Sequence, residues 1–199
     1  YRTNLCRSKF VGEVKRPVLI NSWEAAFMNF DDVKLVEIAK AAKNMGVDLL
    51  VMDDGWFGKR DDDNSGLGDW YVNENKIKCG LHRLVEQINA LDMKFGIWFE
   101  PEMVSEDSVL YREHPDWAMR IPGRKPVLGR NQLVLDFSRE DVRNHIFETM
   151  CGVLDQGNVE YVKWDMNRSI TDVYSAVNAQ GKVLYDYVLG VYDFLEKLI

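Results

Sequence analysis

The chain has 199 residues, 46% of them hydrophobic and 29% charged, with a formal net charge of −7. That is the profile of a globular protein with ample length for one core. The acidic balance and the lack of a Lys/Arg cluster argue against a nucleic-acid partner. No apolar run reaches the roughly 18–20 residues that cross a bilayer, so no membrane partner is expected.

Residues 1–16 are mixed and aperiodic, their polar, basic start carries no signal peptide, and the first residue is Tyr1 rather than methionine. Pro17 then punctuates the chain. Val18 to Trp23 is an apolar run ending in polar residues, a buried strand. Asp31 or Asp32 can cap a helix whose apolar face is Val33, Val36, Ala39, Ala42 and Met45, with Gly46 as its stop. Asp48 to Met52 is a second strand, ending at Asp53-Asp54-Gly55-Trp56. A long polar loop includes Lys59 to Gly68, and Leu81, Leu84, Val85, Ile88 and Leu91 mark a second helix. Phe95 to Phe99 is a third strand, stopped by Glu100-Pro101-Glu102. Gln132 to Asp136 reads as a fourth strand. Ser138 can cap a helix burying Val142, Ile146, Met150, Val153 and Leu154. Val159 to Asp165 is a fifth strand. Leu184, Val188, Val191, Phe194, Leu195 and Leu198 mark a last helix.

Strands apolar on both faces, alternating with amphipathic helices, imply α/β architecture with a parallel sheet. Polar residues gather after the C-terminal end of every strand, where a (β/α)8 TIM barrel keeps its chemistry. A doubly wound sheet would show a Gly-rich phosphate turn after an early strand, and none is present. Five units are visible and the last helix has no stop signal, so residues 17–199 read as a barrel truncated to about its first five β/α units.

The strongest chemical signal is Lys163-Trp164-Asp165-Met166-Asn167. On a strand Lys163 and Asp165 share a face and Trp164 takes the other. Lys163 beside Asp165 would hold the carboxylate ionised, fit to attack an anomeric carbon; an ion pair without catalysis fits equally. Asp53 and Asp54 can accept from sugar hydroxyls, bind a divalent cation, or cap the next segment. Trp23 and Trp56 offer flat faces to a sugar or to the core. Trp98 adds another aromatic, and Glu100 and Glu102 can be acids, hydroxyl ligands or caps. Arg130 is a ligand or a plain loop charge. His82, His114 and His145 lie off the strand ends in no zinc spacing. Cys6, Cys79 and Cys151 are odd in number and match no metal spacing, so they read as free thiols of a reducing compartment and the chain as cytoplasmic. The sequon Asn167-Arg168-Ser169 sits at the site and reads as fortuitous. With no nucleophile elbow, P-loop or paired-cysteine motif, redox and phosphoryl chemistry lack support.

The strings NSWEA, VMDDGWFGKRDDD, GDWYVNENK, GIWFEPEMVS, HPDWAM, LGRNQLVLDFS and VKWDMNR, from about residue 5 onward, closely resemble the microbial α-galactosidases of glycoside hydrolase family 36. The resemblance implies a (β/α)8 catalytic barrel preceded by a β-sandwich domain, with residues 1–16 as the junction. It places the nucleophile of a retaining hydrolase on Asp165. It implies galactose-pocket roles for Asp53, Asp54, Trp23, Trp98, Arg130, Lys163 and Asn167, the two aspartates reading the axial and primary hydroxyls. It implies no metal and no cofactor, which argues against the cation reading of Asp53-Asp54. The family's acid/base aspartate falls on a later strand, outside this chain, so residues 1–199 are expected to be inactive alone. The implied ligands are terminal α-galactosides of the melibiose or raffinose type. A galactosyl transglycosylase of the raffinose-synthase type, a metal-dependent barrel enzyme and a non-catalytic galactose-binding fragment are the competing readings. Assembly of the parent protein into a homo-oligomer is left open.

Overall fold

A computed structural model describes residues 16–199. The junction expected at residues 1–16 therefore lies outside the described residues, apart from residue 16. In chain order the elements are β1 (Leu19–Asn21), α1 (Trp23–Ala26), α2 (Asp32–Asn44), β2 (Leu49–Met52), α3 (Leu81–Asn89), β3 (Lys94–Phe99), β4 (Met103–Ser105) and α4 (Val109–Glu113). They are followed by β5 (Gln132–Val134), α5 (Glu140–Leu154), β6 (Val159–Trp164) and α6 (Val183–Leu198). Four strands form one parallel sheet in the order β1-β2-β3-β6. β4 and β5 form a separate antiparallel pair, Val104 opposite Leu133.

The parallel α/β architecture follows from the sequence pattern. β2 is buried at every position and β3 at all but Lys94, as expected of strands covered on both faces. Gly96 lets them close up: a Cβ there would stand 3.0 Å from Val51 Cγ2 and 3.1 Å from Tyr161 Cβ. Asp31 caps α2 by accepting from the Lys34 N–H at 2.9 Å, satisfying one of its free donors. Gly46, at φ +83°, receives the chain as it leaves that helix. Leu81, Leu84, Val85 and Ile88 face the core along α3.

The structure corrects several expectations. The parallel sheet has four strands, not five: Gln132–Asp136 is an antiparallel arm paired with Met103–Ser105, with Asp136 beyond its end. An apolar run buried on both sides does not reveal its pairing partner. α2 buries Asp32, Leu35, Ala39 and Ala42, while Val33 and Met45 are exposed; the stripe is shifted by one helical position. Ser138 does not cap α5. Arg139 occupies that position without a side-chain cap, and the Ser138 hydroxyl donates to Asp136 Oδ1 instead. α6 buries Val183, Tyr187, Gly190 and Phe194, leaving Leu184, Val188, Leu189 and Tyr192 exposed. Among the described residues no helix is long and apolar enough to cross a membrane.

Gly190 sits where α6 passes the Phe137 backbone and Arg143 of α5. A Cβ there would lie 2.0 Å from the Phe137 carbonyl oxygen, which itself accepts from Arg143 Nη1 at 2.7 Å. Alanine improves helix propensity by about 1 kcal/mol, but this overlap with backbone forces α6 outward at a cost of roughly 1–3 kcal/mol or more. Gly190→Ala is expected to lower the melting temperature of the full-length protein, measured by calorimetry. An unchanged or higher Tm would mean α6 does not pack this closely.

Candidate active site

The parallel register gathers the strand exits at one end. Trp98 is paired with Lys163 and Phe99 with Trp164, so the chain leaves β3 and β6 side by side, and the Asp165 N–H continues the ladder onto Phe99 O at 2.9 Å. Alternation along β6 then sorts the side chains. Trp164 turns outward against Phe194 of α6, ring centroids 5.3 Å apart, and Lys163 and Asp165 turn into a cavity. That cavity, of about 90 Å3, is lined by Trp23, Asp53, Asp54, Trp98, Arg130, Lys163, Asp165 and Asn167. These are the eight residues to which the family resemblance gives the nucleophile and pocket roles, and the structure brings all of them together.

Three carboxylates share the space, and each has different partners. Asp53, 3% exposed, accepts from Lys163 Nζ at 2.7 Å and from Asn21 Nδ2 at 2.5 Å through Oδ2. Its Oδ1 accepts the Asp54 N–H at 2.9 Å. Asn21 also receives the Trp23 N–H at 2.8 Å, so the end of β1 fixes both an acid and an aromatic of the cavity.

Asp54 is gripped by a single arginine. Arg60 Nε donates to its Oδ1 and Nη2 to its Oδ2, both at 3.0 Å. Arg60 is only 1% exposed and also donates to Ser65 O at 3.0 Å. Burial pushes the Asp54 carboxyl up, and the Arg60 hydrogen bonds and charge only partly offset it. The sequence shows Lys59 to Gly68 only as part of a long polar loop. In the structure its arginine is a buried counter-ion, and it is the main site residue that sequence reasoning missed. Its one sequence signal is the position six residues after Asp54, within reach once the intervening chain turns back through Gly55 (φ +105°) and Gly58 (φ +46°).

Asp165 contacts neutral donors. Trp98 Nε1 donates to its Oδ2 at 3.1 Å and Asn167 Nδ2 to the same oxygen at 2.8 Å, while the Met166 N–H donates to Oδ1 at 3.0 Å. Burial raises its pKa, but these hydrogen bonds, with the Lys163 charge as a smaller contribution, outweigh it and hold the carboxyl below the usual range. The sequence reading gave Lys163 that work. The lysine does this only in part, through its charge, and makes its direct hydrogen bond to Asp53, a partner 110 residues away.

The aromatics divide. Trp98, 1% exposed, stacks on Phe57 at 6.0 Å and 11°. Trp23 is half-buried at the rim, edge-on to Phe27. Trp56 is wholly buried and spends its indole N–H on Trp98 O at 2.9 Å, so it is core and support rather than a sugar face. Arg130 is exposed at the opposite rim. It and Asn131 both adopt left-handed backbone, at φ +50° and +59°, held by contacts to Asp63 (3.4 Å) and Asn64 (2.9 Å). Glu100 and Glu102 are buried and do not line the cavity. Lys163 and Arg60 already bring the positive charge that a divalent cation would supply to Asp53-Asp54, and no group of three or more metal-ligating side chains exists among the described residues.

Comparison with known proteins identifies the family. The family described as Melibiase matches residues 1–199. The bifunctional α-galactosidase/sucrose kinase AgaSK of Mediterraneibacter gnavus is 60% identical over 197 residues, 99% of this chain and 20% of that protein. The solved galactosidase domain of AgaSK superposes with a TM-score of 0.91, covering 96% of this chain and 26% of that one. α-Galactosidase Mel36A of Lactobacillus acidophilus is 50% identical, over 98% of this chain and 27% of that protein. The crystal structure of the GH36 α-galactosidase AgaA from Geobacillus stearothermophilus is 50% identical with a TM-score of 0.89, covering 92% of this chain and 26% of that one. The chain belongs to the melibiase family, the α-galactosidases of glycoside hydrolase family 36. It spans 20% to 27% of the length of these relatives.

Removing Arg60 leaves Asp54 as a buried, unpaired charge, at a cost of roughly 3–5 kcal/mol. Arg60→Ala is expected to lose stability of that order in urea unfolding of the full-length protein. Adding Asp54→Asn should restore part of it, because the stranded charge is then gone. A single-mutant loss under about 1 kcal/mol would contradict the buried pair.

Proposed function

We propose that these strands are the first four of a (β/α)8 barrel and that their exits form the galactose-binding and nucleophilic part of a retaining α-galactosidase. The single observation carrying this reading is the Asp165 carboxylate, held ionised by neutral donors in the same cavity that Asp53 and Asp54 line. The relatives' names support the reaction class. Substituted forms of AgaA have been solved with raffinose and with stachyose, which supports terminal α-galactosides as the substrate class here.

In the first step Asp165 attacks C1 of the galactosyl unit. The C1–Oδ bond forms as the bond to the leaving oxygen breaks, and that oxygen takes a proton from a general acid. In the second step water attacks C1, the ester to Asp165 breaks, and the base form of the same acid accepts the water proton. Two inversions leave the anomeric configuration retained. Asp53 and Asp54 each accept three hydrogen bonds from protein and keep capacity for about one more, suited to a sugar hydroxyl. Trp23 fences the rim and Arg130 closes the opposite side. Neither Asp53 nor Asp54 suits the acid role, since Lys163 and Arg60 commit their oxygens to accepting. We assign that role to an aspartate on a later strand, outside residues 1–199, which leaves this segment inactive on its own. The two thiols described, Cys79 and Cys151, are free, which fits a cytoplasmic enzyme.

Asp165→Asn in the full-length protein is expected to lower kcat on an aryl α-galactoside by at least about 10⁴-fold, as for other lost nucleophiles. Turnover within tenfold of wild type would refute the assignment. The pH profile supplies a separate check. Protonation removes the nucleophile, so kcat/KM falls as pH drops through the depressed pKa of Asp165, and the acid limb should lie below the ordinary aspartate value of 3.8. A limb near pH 5 or 6 that persists when Asp54 is replaced by asparagine would contradict it.

A further inference from the structure

The turn Glu100-Pro101-Glu102 leaves β3 with two carboxylates that are 1% and 4% exposed. Neither touches the cavity, yet both reach the segment that carries Asp165. Glu100 Oε1 accepts the backbone N–H of Asn167 at 2.5 Å and Gln132 Nε2 at 2.9 Å. Asn167 in turn places its Nδ2 2.8 Å from Asp165 Oδ2. Glu102 Oε1 accepts the Trp164 indole N–H at 2.9 Å, and its Oε2 accepts the Tyr187 hydroxyl of α6. Residues 164 and 167 are thus each tied to this one turn, with the Asp165 N–H on Phe99 O between them.

We infer that Glu100 is a positioning residue for the nucleophile, acting through Asn167 to aim Asp165 Oδ2 into the cavity. The inference rests on the proposed role of Asp165 and adds to it a buried acceptor that no cavity-lining pattern identifies. The geometry also separates this role from proton donation. Glu100 Oε1 faces two N–H donors and lies behind Asn167, so it meets the nucleophile's support and not the leaving oxygen. Burial, and secondarily the nearby Asp165 charge, oppose its ionisation, while the N–H donors of Asn167 and Gln132 favour it. A group that accepts both bonds through one oxygen can lose its charge and still do this work.

The test uses the full-length enzyme, whose wild-type turnover of an aryl α-galactoside first establishes the reaction. Failure of that turnover would count against the function; the variants below read Glu100 alone. Glu100→Ala removes the acceptor and should lower kcat about 100-fold, the scale of a roughly 1 Å misplacement, with KM changed less than threefold. Glu100→Asp, which withdraws the acceptor by one methylene, should fall between and serves if the alanine variant does not fold. Glu100→Gln keeps a carbonyl oxygen at Oε1 and should recover kcat to within about fivefold. Combining Glu100→Ala with Asn167→Ala should cost no more than the worse single variant, because one chain of contacts is broken twice. Added azide should rescue none of them. A glutamine variant as slow as alanine and accelerated by azide would make Glu100 an acid/base and overturn the inference. So would wild-type kcat in the alanine or aspartate variants, an effect confined to KM, or fully additive losses in the double variant.

Discussion

The site depends on the ion pair between Lys163 and Asp53, which ties the exit of β6 to the exit of β2 across β3 at 2.7 Å. Asp53 is almost fully buried and Lys163 about one-third exposed, so water screens the pair only in part. Breaking it would leave a buried carboxylate without its counter-ion, which is costly. Asp165 lies two residues beyond Lys163 on the same face of the strand. Whatever fixes Lys163 against Asp53 therefore also sets the distance between Asp165 and the two acids across the cavity.

Three carboxylates in one small cavity repel one another, and each would drift toward its protonated form without compensation. The structure gives each a different remedy. Asp53 has a lysine and Asp54 a bidentate arginine, and both meet their cations as hydrogen-bond acceptors. Asp165 has an indole, a side-chain amide and a backbone N–H. Neutral donors hold it ionised without a cation lying on its oxygens, which leaves more of its electron density for bond formation. The contrast between cation-paired and neutral-donor carboxylates is what separates binding acids from a nucleophile in the function we propose.

Much of this was legible in the chain. The parallel sheet followed from strands apolar on both faces, and the face shared by Lys163 and Asp165 followed from strand alternation. What the sequence could not supply was pairing at long range. Gln132–Val134 has the composition of a buried strand, but only its partner, Met103–Ser105, shows that it belongs to an antiparallel arm. Lys163 stands beside Asp165 in sequence and bonds Asp53 in space. Arg60 lies in a run of polar residues, where charge normally means solvent, and is instead among the most buried side chains. Glu100 and Glu102 read from the sequence as acids, hydroxyl ligands or caps, and their carboxylates turn back to hold Trp164 and Asn167. Each case concerns a strand or a charged side chain whose partner is distant in sequence, which local periodicity does not encode.

The most direct test of the central claim is to trap the intermediate. A fluorinated galactosyl fluoride, which slows release of the sugar from the enzyme, is incubated with the full-length protein, and the digested product is mapped by tandem mass spectrometry. The account predicts one fluorogalactosyl unit, ester-linked to Asp165. Label on any other carboxylate, Glu100 included, or catalytic turnover of substrate with inversion and no label, would contradict it.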